Sequence, residues 1–125
     1  MRQLTVLIVD DNVRNRFLLS EMLSDLGHLT EIAENGQIAI DKLVAKPFDL
    51  VLLDVEMPVM NGIETAIHIR TRFESPSSEI PIVFITAHSV EDYFGNDPSF
   101  YFNDIITKPY SLENLVNILD KYFRD

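Results

Sequence analysis

Residues 49–62, DLVLLDVEMPVMNG, constrain the fold more than any other part of the chain. The apolar run from Leu50 to Leu53 ends at a carboxylate, Asp54, and a proline and an Asn-Gly pair follow. Such a run predicts a strand buried on both faces and then a turn. Because ligands of an open parallel sheet bind beyond the carboxyl ends of its strands, Asp54 lies where chemistry is common. The alternative is that Asp54 only caps the turn before Pro58.

The rest of the chain alternates between strand-like and helix-like patterns. Predicted strands cover residues 6–9, 29–33, 50–53, 80–85 and 105–107. The first, second, third and fifth of them are followed by apolar residues at three- and four-residue steps, as in amphipathic helices. This alternation predicts an α/β fold, doubly wound, with a mostly parallel sheet covered by helices on both faces. A length of 125 residues fits one domain, residues 1–125.

Four of the five predicted strands end in polar or charged groups, namely Asp10 and Asp11, Asp54, Thr86, and Lys108. Carboxyl ends of parallel strands lie along one edge of a sheet, so we expect these groups to converge. Each has an ordinary alternative as a helix cap, a turn hydroxyl or a solvated charge. Their joint occurrence favours a site.

Carboxylates gathered at one edge repel one another. At an effective dielectric constant near 20, a pair about 4 Å apart costs roughly 4 kcal/mol. Lys108 supplies one compensating charge, and oxygen ligands without Cys or paired His favour Mg²⁺ over Zn²⁺ as a further cation. Carboxylate, Mg²⁺, hydroxyl and lysine form a clamp for a phosphoryl group. A carboxylate that attacks phosphorus gives an aspartyl phosphate.

Composition argues against several other classes of protein. A net charge of −10 disfavours a nucleic-acid-binding surface, since phosphate backbones are bound by Lys and Arg. The chain has no Cys, no signal-peptide-like start and no apolar run near the roughly 20 residues of a membrane span. We therefore expect a cytoplasmic location without membrane contact. His28, His68 and His88 lack metal-binding spacing and are predicted at the surface or in turns.

The motifs resemble the receiver domain of two-component response regulators. The resemblance covers essentially the whole chain and rests on Asp10-Asp11, Asp54 with Met57-Pro58 and Asn61-Gly62, Thr86-Ala87, and Lys108-Pro109. It implies a flavodoxin-like fold, a five-stranded parallel sheet in the order 2-1-3-4-5. The surroundings of the central acid are most similar to receivers of hybrid sensor histidine kinases. A free-standing receiver is the alternative.

The resemblance also implies a role for each acid. Asp54 would be the phosphoacceptor. Asp11, Asp54 and the backbone carbonyl of Glu56 would bind Mg²⁺ directly, and Asp10 would act mainly through metal-bound water. Glu56 and His88 would flank the phosphate entrance and tune hydrolysis of the acyl phosphate.

Further implied roles concern the phosphoryl group and its source. Lys108 and Thr86 would bind the phosphoryl oxygens, next to Ala87 and Pro109, and the peptide bond before Pro109 would be cis. The donor would be a phosphohistidine on a sensor histidine kinase or a histidine phosphotransfer protein. Such a domain is not an enzyme beyond self-phosphorylation and autodephosphorylation, and it could form a phosphorylation-dependent dimer.

Two departures from the family pattern stand out. Ile105 occupies a position that is usually aromatic, so the family's threonine–aromatic switch is in doubt. Residues 89–103, where the family has its fourth helix, contain Pro98, which costs about 3 kcal/mol inside a helix. We predict that this helix is short or irregular. The aromatic residues there would fill the core or, alternatively, form an exposed patch for a partner.

Three other functions remain as alternatives. A degenerate receiver would bind a partner without being phosphorylated. An aspartate-nucleophile phosphatase would need a second catalytic Asp at the position that Glu56 occupies, and also a cap domain. A flavin-binding protein would need a phosphate loop rich in Ser, Thr and Gly, whereas Asp10-Asp11-Asn12 would repel the phosphate.

Overall fold

The computed structural model describes residues 2–87 and 101–124. The strands are β1 (Thr5–Val9), β2 (Leu29–Ala33), β3 (Leu50–Asp54), β4 (Ile82–Thr86) and β5 (Asp104–Thr107). The helices are α1 (Val13–Asp25), α2 (Gly36–Ala45), α3 (Gly62–Arg72) and α4 (Leu112–Phe123), with a short 3-10 helix at Ser77–Glu79. Among the described helices the longest has 13 residues, and none has the length and apolar composition of a membrane span.

All strand pairs are parallel, and the strand order is β2-β1-β3-β4-β5. The predicted doubly wound α/β fold and its strand order are therefore confirmed. Strand ends differ slightly from the prediction, since Asp54 and Thr86 are the last residues of β3 and β4. β4 begins only after Pro81, which has no N–H to donate to the ladder.

The two faces of the sheet carry separate apolar cores. One core joins residues of α2 and α3 to one side of the strands, and it includes Leu53 and Phe84. The other joins α1 and α4 to the opposite side, and it includes Leu52 and Ile85. Because side chains alternate along a strand, β3 contributes to both cores and is buried throughout. Its last residue, Asp54, is thereby buried at the centre of the sheet.

Helix ends follow the capping rules. Asn12, Asn35, Asn61 and Ser111 each accept a hydrogen bond from the third residue of the helix that they precede. Gly27, in the loop after α1, has a φ of 92°, a left-handed value that glycine adopts without strain. These caps fix where each helix begins relative to the carboxyl edge of the sheet.

The prediction of a short or irregular fourth helix concerns residues that lie mostly outside the described part, and it stays a prediction. Tyr101 and Phe102 are described, half-buried, and packed against the α2–α3 core. The ring centroid of Phe102 lies 4.9 Å from that of Phe84. Next to them, the Asn103 amide oxygen accepts from the Ile82 N–H at 2.8 Å. Two of the aromatic residues thus fill the core, as predicted for some of them.

His28 was predicted at the surface or in a turn. The surface position is wrong, because the His28 side chain is buried. Its exposed fraction is 8%. The Leu4 N–H donates to His28 Nδ1 at 3.0 Å, which ties the loop before β2 to the start of β1. Burial and the charge of the N-terminus lower the pKa of His28. The folded state therefore favours the neutral imidazole, whose Nδ1 can accept this bond.

We expect the stability supplied by His28 to be complete above its unfolded pKa, near 6.5, and to be lost as pH falls below it. His28→Asn should reduce this loss, because an amide oxygen near the Nδ1 position accepts a hydrogen bond at every pH. Urea unfolding midpoints of both proteins at pH 7.5 and pH 5.5 test this. Comparing the wild type with the variant at the same pH cancels most contributions of other titratable groups. If the urea midpoints of both proteins changed equally between the two pH values, the role given to His28 would be wrong.

Candidate functional site

The register of the central strands brings two buried acids together. Val9 pairs with Leu53, so the residues that follow them, Asp10 and Asp54, are neighbours at the carboxyl edge of the sheet. Their exposed fractions are 1% and 4%. The Asp10 N–H donates to the Ala33 carbonyl at 3.1 Å, which fixes this end of β1 against β2. Both carboxyl groups are thus held by regular strands.

A cleft of about 230 Å³ opens at this edge. Ligand oxygens of Asp10, Asp11 and Asp54 lie within 4.8 Å of one another, and Asp11 is exposed. The Nζ of Lys108 is 3.4 Å from Oδ1 of Asp54. The residues that line the cleft are Asp10, Asp11, Asn12, Asn15, Asp54, Glu56, Thr86, Ala87 and Lys108. The predicted convergence of side chains is therefore observed, whereas their roles stay predictions.

Lys108 is held against β4 by the backbone. Its N–H donates to the Thr86 carbonyl at 2.9 Å, and the Lys108–Pro109 peptide bond is cis, as the resemblance implied. The Thr86 residue is 2% exposed at the end of β4. Pro109 itself lines a different groove, between β5 and α4. His88 lies outside the described residues, so its predicted position at the phosphate entrance stays a prediction.

The ionised cluster is short of positive charge. Burial, followed by the charge of Asp10, raises the pKa of Asp54 to about 6. Lys108 and the backbone N–H of Glu56 act in the opposite direction and do not cancel the rise. The folded state thus holds a proton on Asp54 more readily than the unfolded chain does.

One carboxylate oxygen of the cluster is buried without a hydrogen-bond partner. Oδ1 of Asp10 accepts from the Asn12 N–H at 2.9 Å, whereas Oδ2 is buried and has no hydrogen-bond partner. A buried carboxylate oxygen without a partner is costly, and a cation removes that cost. Three carboxylates and nearby backbone carbonyls form the oxygen donor set that Mg²⁺ prefers. The residues of the cleft therefore fit Mg²⁺.

The loop after β3 is held by close packing. The Gly62 N–H donates to the Val55 carbonyl at 2.9 Å, and a Cβ on Gly62 would lie 2.3 Å from the Asp54 carbonyl oxygen. No larger residue fits there without movement. Val59, in the same loop, has a φ of 71°, which is unusual for a β-branched residue. The sequence marked a turn here, but the need for glycine comes from a tertiary contact.

Two lining residues were missed by the sequence analysis as parts of the site. Asn12 caps α1 by accepting from the Asn15 N–H at 3.1 Å, and both line the cleft. Helical spacing could have indicated Asn15, because residues three apart lie on the same face of a helix and Asn15 is three residues after Asn12.

A family model described as the response regulator receiver domain matches residues 6–120. The chain belongs to the response regulator receiver family. The sensor histidine kinase GacS of Pseudomonas protegens is 35% identical to this receiver over 118 residues, and the signal transduction histidine-protein kinase BarA of Escherichia coli is 32% identical over 120. The alignments cover 94% and 95% of the receiver but 13% of each kinase.

Solved structures agree with this assignment. The Vibrio cholerae chemotaxis protein CheY4 has a TM-score of 0.86 at 28% identity, with 98% of the receiver and 100% of CheY4 covered. The receiver domain of sensor histidine kinase PA1611 from Pseudomonas aeruginosa, solved with a magnesium ion in its active site cleft, has a TM-score of 0.85 at 26% identity and covers 97% and 98%. TrrA of Thermotoga maritima, in complex with Mg²⁺ and BeF, has a TM-score of 0.83 at 31% identity and covers 97% and 100%.

In the metal-free receiver at pH 7.5, we expect Asp54→Asn to raise the free energy of unfolding by about 1 kcal/mol or more. The reason is that the variant removes an ionised group whose folded pKa is raised. The gain should shrink as pH falls through about 6, where the wild-type carboxyl becomes protonated. Urea unfolding in EDTA at pH 7.5 and pH 5 measures both effects, with the exposed Asp41→Asn as control. A destabilised variant at pH 7.5 would contradict the electrostatic account.

Proposed function

We propose that this receiver domain accepts a phosphoryl group on Asp54 in a two-component phosphorelay. The observation that carries the proposal is a buried carboxylate on the central strand, 3.4 Å from the Lys108 ammonium, in a cleft of acids. The carboxylate is the nucleophile, and the ammonium binds the oxygens of the incoming group. Thr86, at the neighbouring strand end, would bind the phosphoryl oxygens after transfer.

The transfer from a phosphohistidine is a single displacement. An oxygen of Asp54 attacks phosphorus, so that an O–P bond forms while the P–N bond of the donor breaks. The electron pair of that bond stays on the imidazole nitrogen, and the ring leaves neutral when its other nitrogen already carries a proton. No water, oxidant or further nucleophile is consumed. The reaction needs alignment and charge compensation, which the cleft supplies.

Asp10, Asp11 and Asp54, with the backbone carbonyl of Glu56, would hold Mg²⁺. When bound, this ion compensates the negative charge of the phosphoryl oxygens as they approach the acids. The magnesium ion in the related PA1611 receiver supports this part of the proposal. The exposed Glu56 side chain lines the cleft and would tune hydrolysis of the acyl phosphate, together with His88.

Readout of the phosphate would involve β5 and α4. Ile105 is half-buried against the α2–α3 core, and it lacks an aromatic ring that could swing between a solvated and a buried position. We propose that phosphorylation is transmitted through the hydrogen bond from the Lys108 N–H to the Thr86 carbonyl. Rotation of an aromatic ring would not be needed. A partner that recognises the β5–α4 face would then respond to movement of the chain itself.

Incubation with Mg²⁺ and acetyl phosphate should add one phosphoryl group, detected by intact mass spectrometry. The group should be absent in Asp54→Asn and in EDTA, because the variant lacks the nucleophile and EDTA removes the compensating ion. Asp41→Asn, a change on the exposed side of α2, should be phosphorylated like the wild type. An unmodified wild-type protein would indicate a receiver that only binds partners, and sustained hydrolysis of assorted phosphate esters would indicate a phosphatase.

An exposed apolar surface adjoins the cleft, and we define it as Val13, Phe17 and Ile32. Their exposed fractions are 70%, 67% and 43%, and with Arg16 and Ser20 they line a shallow pocket. A phosphohistidine must come within bonding distance of Asp54, so its carrier must cover the adjacent rim. We infer that this surface contacts the histidine-bearing domain of a kinase or phosphotransfer protein.

Phe17→Ser should slow phosphoryl transfer from a phosphorylated histidine domain by about tenfold or more, because it removes a large apolar contact. Its rate with acetyl phosphate should stay within about twofold of the wild type, since the cleft is unchanged. Val44→Ser, on α2, is the matched control, because Val44 is 73% exposed and lies outside the defined surface. Equal losses with both donors would show damage to the cleft instead of loss of docking.

The chain spans 13% of the length of the sensor histidine kinase GacS and 13% of the length of the kinase BarA. We propose that it acts as the receiver of a hybrid sensor histidine kinase, or as a separate receiver that serves one. In either setting its partners would be the phosphohistidine of a kinase and that of a phosphotransfer protein.

A further inference from the structure

Within residues 2–87 and 101–124, three buried side-chain polar atoms have no hydrogen-bond partner. They are Oδ2 of Asp10, Nε of Arg16 and the hydroxyl of Tyr110. Buried polar groups are almost always paired, so each such atom calls for an explanation. The Asp10 oxygen is a charged acceptor, whereas Nε of Arg16 and the Tyr110 hydroxyl can each donate a hydrogen. The two donors therefore match the acceptor in hydrogen-bonding type.

These atoms belong to one neighbourhood around Asp10. Nη1 of Arg16 donates to the Asp10 backbone carbonyl at 2.8 Å, so the guanidinium is already bound to this residue. Tyr110 packs against the core formed by α1 and α4. Burial, then the charges of Asp10 and Asp54, raise the pKa of the Tyr110 phenol. Two separate elements thus bring hydrogen donors towards the same carboxylate.

We propose that Arg16 and Tyr110 are positioning residues for Asp10, donating to one shared water molecule that in turn donates to Oδ2 of Asp10. The inference rests on the proposed Mg²⁺ site, because its consequence is the orientation of a metal-binding acid. A carboxylate oxygen has two lone pairs, so Oδ2 can accept such a bond and still face a metal-bound water. With Asn12 on Oδ1, both oxygens of Asp10 are then held.

The arrangement connects the site to two elements that bear no metal ligand. Arg16 lies on α1, next to the proposed docking surface, and Tyr110 lies in the loop that presents Lys108. Hydrogen bonds to a metal-binding group typically orient it and change metal affinity when they are removed. A change at either element would therefore alter Mg²⁺ affinity without touching the ion.

Tyr110→Phe is the first test, because it deletes only the hydroxyl. We expect Mg²⁺, titrated by calorimetry, to bind about tenfold more weakly than to the wild type. Tyr122→Phe is the matched control, since the Tyr122 hydroxyl donates to the Asn103 carbonyl at the far end of α4. Its Mg²⁺ affinity should stay within about twofold of the wild type. Arg16→Lys, which keeps the charge but removes the Nε hydrogen, should weaken binding in the same direction as Tyr110→Phe.

A metal-free measurement separates the positioning role from the metal site. In EDTA, Tyr110→Phe should lower the urea midpoint, whereas deletion of a truly unpaired buried hydroxyl would raise it. The loss should be smaller in an Asp10→Asn background, since contacting residues are not additive. A raised midpoint, or additive effects of the two changes, would overturn the proposal.

Different results would refute the proposed Mg²⁺ site and the proposed positioning role of Arg16 and Tyr110. Wild-type protein that binds no Mg²⁺ would refute the metal site, and the metal-free coupling between Tyr110 and Asp10 would still decide the positioning role. Wild-type protein that binds Mg²⁺ with equal affinity in Tyr110→Phe and Arg16→Lys would refute the positioning role and leave the metal site standing.

Discussion

Two carboxylates, Asp10 and Asp54, are buried side by side at the end of the two central strands, and the half-buried ammonium of Lys108 reaches Asp54. Parallel pairing of β1 with β3 makes this proximity unavoidable, because the same register that aligns Val9 with Leu53 aligns the acids. The fold therefore carries an electrostatic cost at its centre, and a cation bound in the cleft would reduce that cost. Lys108 and the backbone N–H of Glu56 reduce this cost, because both favour the ionised form of Asp54.

Much of this could be predicted from the sequence because the signals were local and periodic. Apolar runs that stop at acids, threonine or lysine gave the strands, and the alternation with amphipathic segments gave a parallel sheet. Parallel strands share one carboxyl edge, so the convergence of Asp11, Asp54 and Lys108 followed from topology alone. The small shifts at strand ends arise because a residue can belong to the ladder through its backbone while its side chain belongs to the site.

What the sequence did not reveal depends on contacts between distant segments. The burial of His28 follows from a hydrogen bond with Leu4, 24 positions away, which no local pattern encodes. The need for glycine at position 62 follows from the nearness of α3 to the Asp54 backbone. Likewise, Arg16 looks like an ordinary helix residue, but its Nη1 donates to the Asp10 backbone carbonyl, six positions before it. Tertiary packing decided these features, and local propensity had no part in them.

The loop after β3 and the first residue of α3 contain two unusual positions, three residues apart. Gly62 has no room for a side chain, whereas Val59 carries an 81% exposed side chain on a left-handed backbone that glycine would adopt more easily. Neighbouring backbone atoms prevent substitution of Gly62, whereas Val59 can be substituted because almost nothing packs on it. Sequence drift in descendants of this chain should therefore accumulate at position 59 and spare position 62, although only two residues separate them.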